Sequence, residues 1–194
     1  MGKISLREKF EACYMAVETD EGGKKKIRYV YYGPWYYWEV TEQQIRKGKL
    51  SMLLQSLLSL VICALLLTRY QPQLECWYVI LPAAAALCFQ ILELSGVVQF
   101  LCAKNPTTKL NYDEVRRIME LAPVGREYSS VLMAAALVVR GVSMGTWLDA
   151  VVTALGWLTG AYLANRINRQ FFLLPVRVEE NHVLEQIPEG CRSV

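Results

Sequence analysis

The chain has 194 residues, 54 % of them hydrophobic, with a mean hydropathy of +0.21 and a net charge of +3. One soluble domain would suit that length, but so much apolar side chain points to the membrane class. The small positive charge makes no case for a nucleic-acid partner, because the flanks of the apolar runs account for it.

Residues 1–49 form a polar N-terminal segment. From Lys3 to Val17, Leu6, Phe10, Cys13, Tyr14 and Val17 recur at helical spacing, which predicts a short amphipathic helix. From about Ala16 to Thr41, β-prone runs are separated by "DEGG" and "GP" turn signals, which predicts a small cytoplasmic three-stranded β-meander. Its centre, "YVYYGPWYYWEV", carries seven aromatics: Tyr29, Tyr31, Tyr32, Trp35, Tyr36, Tyr37 and Trp38. In the middle strand Ile27, Tyr29 and Tyr31 share one face, and Arg28, Val30 and Tyr32 share the other. Tyr and Trp combine an apolar body with a polar tip, so these seven residues suit three roles: packing on the chain's own helices, resting against headgroups, or forming a partner surface.

The membrane domain follows at 50–164, with four expected transmembrane helices. "LSMLLQSLLSLVICALLL", residues 50–67, has no charge and spans about 27 Å as a helix, close to a bilayer core. It reads as the targeting signal, since the polar residues ahead of it do not resemble a cleavable leader. Residues 77–101 give a second run, 128–144 a third and 147–164 a fourth. Between the last two, Gly145 suits a left-handed turn, and Thr146 with Asp149 has the spacing of a capping box. Between the second and third lies an amphipathic stretch at 112–121, with Val115, Ile118, Met119 and Ala122 on one stripe and "PVG" after it. It predicts a separate helix lying in the membrane interface. A cytoplasmic tail, 165–194, includes a short β-prone "LLPVRV".

Nineteen of the twenty-one basic residues fall on one side of this arrangement, which places both termini in the cytoplasm of a cell-membrane protein. The opposite side keeps only "TRYQPQLEC" and the Gly145-Thr146 turn, so an extracellular ligand domain is excluded. Within the spans Glu93, with Gln90 one turn before it, and Arg140 are the conspicuous polar groups. Ionisable groups in a bilayer are costly and therefore usually paired, so Glu93 and Arg140 are expected to form a structural ion pair, or else to line a proton or ion path. Small-residue pairs, Gly141 with Gly145 and Gly156 with Gly160, suit close helix packing and allow a homo-oligomer.

No catalytic residue, metal site or cofactor motif is found: His182 stands alone in the tail, the six cysteines contain no CxxC, and no phosphate loop, GxSxG or HExxH occurs. The expected function is therefore noncatalytic. It is that of an accessory or scaffold subunit anchored in the lipid bilayer, presenting a cytoplasmic surface to a membrane-protein partner. The alternative is a small oligomeric transporter or channel with Glu93 and Arg140 in a polar path.

Overall fold

The computed structural model describes residues 10–21, 24–68 and 76–181. In chain order these form β1 (Tyr14–Glu21), β2 (Lys24–Tyr31), β3 (Trp35–Trp38), α1 (Glu42–Thr68), α2 (Trp77–Cys102), β4 (Thr107–Thr108), α3 (Lys109–Ser143), α4 (Trp147–Phe172) and β5 (Val176–Glu179). They group into two units: a helical one, Val40–Cys102 with Val115–Pro175, and a β unit formed by the remaining segments.

In the helical unit α1, α2 and α4 are each long and apolar enough to cross a membrane. Their outward faces carry exposed Leu54, Val61 and Leu65, Leu81 and Ile91, and Val152 and Leu155. Arginine, glutamate, glutamine and serine are meanwhile buried inside. An apolar exterior around a polar interior is the arrangement a hydrocarbon solvent selects. The α1 helix begins at Glu42, eight residues before its apolar run, because "TEQQ" supplies a reciprocal cap: the Thr41 hydroxyl accepts from Gln44 N–H at 3.3 Å, and Gln44 Oε1 accepts from Thr41 N–H at 3.2 Å. Lys49 reaches the other end of its neighbour, donating to the Leu101 carbonyl in the last turn of α2 at 3.3 Å. Its ammonium also lies 5.0 Å from the centre of the Phe100 ring.

A separate helix at 112–121 followed by a break is not what forms. Pro123 and Gly125 lie inside one continuous helix, α3, which starts at Lys109 with the Thr108 hydroxyl accepting from Asn111 N–H at 3.5 Å. Proline removes the N–H that would bond the carbonyl four residues back. Here that carbonyl belongs to Met119, and the Asn168 amide of α4 donates to it at 2.9 Å. A neighbouring helix thus re-satisfies the freed group, and the helix continues. Asn168→Leu should lower stability by about 1 kcal/mol, the lower part of the range for a stranded carbonyl because the bond is half-buried. Unfolding of the purified protein by denaturant measures this, and an unchanged midpoint would show that the Met119 carbonyl does not depend on Asn168.

Gly145 takes the left-handed conformation expected of it, with φ of 71°, and closes the α3–α4 hairpin. The capping box does not form: Thr146 makes no side-chain cap hydrogen bond. The Thr146 N–H instead donates to the Gly141 carbonyl at 2.9 Å. Away from this turn, Cys63, Val79, Ala83, Ala86, Met133, Leu137, Ala154 and Trp157 form an apolar core drawn from all four helices.

In the β unit the expected meander splits into two sheets. Strands β1 and β2 form an antiparallel hairpin in register from Tyr14 opposite Tyr31 to Glu21 opposite Lys24. The third strand leaves it. β3 lies at the centre of a second sheet, between β4 and β5, with Trp35 opposite both Thr108 and Glu179. The corner at Gly33-Pro34 makes the separation: Tyr31 folds back so that its hydroxyl donates to the Pro34 carbonyl at 2.5 Å. A Cβ at Gly33 would lie 2.9 Å from that hydroxyl, so only glycine admits the ring. The β-prone "LLPVRV" supplies β5. Of the expected N-terminal amphipathic helix, residues 1–9 lie outside the described residues, Phe10 and Glu11 are helical, and Tyr14 onward is strand.

Candidate functional site

Four helices meet at a buried polar layer in the helical unit. Arg126 of α3 supplies its centre, with 1 % of its side chain exposed, because the stripe Val115, Met119, Ala122 continues four residues further once α3 runs through Pro123. Its Nη1 lies 3.2 Å from Glu93 Oε1 of α2. The same nitrogen donates to Ser59 Oγ of α1 at 2.9 Å and to Gln90 Oε1 of α2. Nη2 donates to the Gly160 carbonyl of α4 at 3.0 Å, so one guanidinium ties α1, α2 and α4 to α3. Gln90 completes the layer, accepting from the Ser59 hydroxyl at 3.0 Å and donating from Nε2 to the Ser56 carbonyl and hydroxyl at 3.3 Å each.

Opposite charges meet here, which is the condition for burying either. The satisfaction is uneven, however. Three acceptors compete for the two protons of Nη1, while among the described residues Arg126 Nε and the two Glu93 oxygens have no hydrogen bond of good geometry, although the Ser56 hydroxyl also faces the carboxylate. Glu93 is held mainly by charge and Arg126 mainly by hydrogen bonds.

The expected partner of Glu93 was Arg140, and the structure separates them. Arg140 is fourteen residues beyond Arg126 on the same helix, about 21 Å along its axis. It lies beside Tyr78, at the other end of α2 from Glu93. Gln90 does join Glu93 in one layer. Arg126 escapes a sequence reading that ends the preceding helix at Pro123 and counts this residue among the loop charges. The usable signal is its place four residues after Ala122 on the apolar stripe, together with Ser56, Ser59 and Cys63 at helical spacing on α1.

The aromatic residues of the β unit divide by environment. Trp38 is buried, and its backbone N–H and carbonyl are both bonded by the Asn105 side chain, at 3.2 and 3.4 Å. Tyr36 stacks on Tyr112 with ring centroids 4.5 Å apart. Trp35 meets Tyr31 edge-on, and Tyr31 in turn packs against Tyr14. The Tyr31 hydroxyl accepts from Lys109 N–H at 2.9 Å while donating to Pro34. Burial raises the Tyr31 phenol above its ordinary value and the Lys109 N–H opposes this, so the hydroxyl keeps the proton it donates. Tyr32 is half-buried and donates to the Glu11 carbonyl at 3.0 Å, and Tyr37 is half-buried in β3. Tyr29 differs. With Ile27 on the same strand face it stands exposed, meeting the Phe10 ring edge-on.

Three helices able to cross a membrane, turned apolar side out around a charged centre, mark the chain as a membrane protein of the helical-bundle class. Comparison with protein-family models, curated proteins and solved structures finds no match.

Proposed function

We propose that the chain is a noncatalytic accessory subunit of the cell membrane, with four spans and both termini in the cytoplasm, that presents its β unit to a membrane-protein partner. Two features support the topology. The second half of α3 carries exposed Val131, Leu132, Val138, Val139 and Val142 and suits a fourth span, and the basic residues concentrate where both tails would then lie. One observation carries the function. Ile27 and Tyr29, 64 % and 63 % exposed, share a face of the β1–β2 hairpin while Tyr31, Trp35, Tyr36 and Trp38 pack within the β unit. Apolar and aromatic side chains left out of a folded unit are where binding energy concentrates.

Replacing Ile27 and Tyr29 together by serine in the full chain, expressed in its native host and gently solubilised, should release a stoichiometric co-purifying protein while the chain stays folded and inserted. Trp38→Ser should instead unfold the β unit. Unchanged co-purification by the Ile27/Tyr29 variant would reject the surface. A second reading, a small oligomeric transporter, draws on the buried Glu93 carboxylate, whose oxygens have no hydrogen bond of good geometry among the described residues, because an under-satisfied carboxylate inside a span is a group that protons or ions can use.

A further inference from the structure

At one end of the helical unit a groove of about 390 Å³ opens between α1 and α4, lined by Lys47, Leu50, Ser51, Leu54, Gln55 and Arg166. Lys47, Ser51 and Gln55 follow each other at intervals of four on α1, so they form one polar stripe, and Leu50 with Leu54 forms an apolar one beside it. The groove's inner wall is tied in place. The Gln55 amide donates to Ser51 Oγ at 2.8 Å and to Gln170 Oε1 of α4 at 3.1 Å. Its two cations are not tied. Lys47 and Arg166 are exposed and, among the described residues, have no acidic partner, whereas nearby Arg46 pairs with Glu42 at 3.9 Å and Lys49 is used on the Leu101 carbonyl.

The position of these cations along the helices matters. Lys47 lies three residues before the apolar run of α1, and Arg166 lies two residues after that of α4. Both therefore stand where hydrocarbon gives way to headgroups, on the side rich in basic residues. Leu50 and Leu54, 54 % and 58 % exposed, continue the groove toward the apolar side. Two unpartnered cations above an exposed leucine pair match a molecule with an anionic head and an apolar tail.

We propose that this groove binds one anionic phospholipid, its phosphate between Lys47 and Arg166 and an acyl chain along Leu50 and Leu54. The inference rests on the membrane class of the protein and is independent of any protein partner. A basic side chain near a headgroup contributes about a fivefold preference for anionic lipid, so two give a preference near thirtyfold.

Native mass spectrometry of the full chain in neutral detergent tests this, with dioleoyl phosphatidylglycerol, dioleoyl phosphatidylcholine and glycerol 1-phosphate as probes. A single phosphatidylglycerol adduct should predominate over phosphatidylcholine. Lys47→Gln and Arg166→Gln should each reduce that preference about fivefold, and the double variant should abolish it. Arg116→Gln with Arg117→Gln removes two exposed cations from α3 and should leave the preference intact. Thermal unfolding of each lipid-free variant should match the parent, since no folded-state bond is removed. Equal losses in the two double variants would replace a site with diffuse charge attraction. Displacement of the lipid by glycerol 1-phosphate at equal concentration would show a small-anion site without an acyl groove, and no preference between the two lipids would reject the proposal.

Discussion

Arg126→Met is expected to lower the unfolding free energy by about 3–5 kcal/mol, the magnitude associated with removing one member of a buried ion pair. The loss should be lopsided across the pair. Without Arg126, Glu93 keeps no charged partner, and Ser59, Gln90 and the Gly160 carbonyl lose the donor that links them. Without Glu93, the guanidinium still holds those three acceptors, so Glu93→Gln should cost clearly less than Arg126→Met. Combining Glu93→Gln with Arg126→Met should recover part of the loss, because the stranded carboxylate is gone. Equilibrium unfolding of the four proteins measures the coupling, and additive losses would reject direct pairing. Glu93→Gln also separates the two functional readings: unchanged stability with abolished proton-driven flux in liposomes would favour the transporter over the accessory subunit.

Gly141→Ala should be the most damaging single-methyl change in the helical hairpin. A Cβ at that position would collide with the Ala150 Cβ and lie 3.3 Å from the Thr146 carbonyl oxygen. Neither neighbour can yield without moving its backbone, so α3 and α4 must separate, at about 1–3 kcal/mol for an overpacked contact. Gly156→Ala provides the contrast, since it meets the end of the flexible Leu66 side chain, at 2.9 Å, and should cost much less. Ala150→Gly placed in the Gly141→Ala chain should restore most of the stability. Failure of that rescue in thermal unfolding would show that the Cβ contact is not what limits the approach of the two helices.

The proposed accessory role and the membrane anchor make different demands on sequence. The outward leucines of α1 and the paired polar residues inside belong to the anchor, and their effects should appear in stability. Ile27 and Tyr29 belong to the proposed partner surface, and their effect should appear in what the protein holds. Lys47 and Arg166 are a third kind, since among the described residues neither has an acidic partner and lipid composition should read them out.

Much of this was legible in the residues alone, because it depends on local chemistry. Hydrophobic runs of bilayer length specify α1, α2 and α4, the left-handed preference of Gly145 specifies the turn before α4, and the β-prone "LLPVRV" specifies β5. The alternation of Ile27, Tyr29 and Tyr31 against Val30 likewise follows from the pleat of a strand. What the tertiary structure decided were the partnerships across long separations. Pro123 reads as a stop until Asn168, forty-five residues later, accepts the task of bonding the Met119 carbonyl. With that bond α3 is one helix, Arg126 turns inward to Glu93, and Arg140 is carried about 21 Å away to the other end. In the same way β3 resembles the third strand of a meander, yet its two edges are taken by β4 and β5 from distant parts of the chain. Local propensity determines which segments become helix or strand, but a backbone group without a partner, or a charge without its counterion, is satisfied by whatever the fold brings near it, and sequence distance carries no record of that.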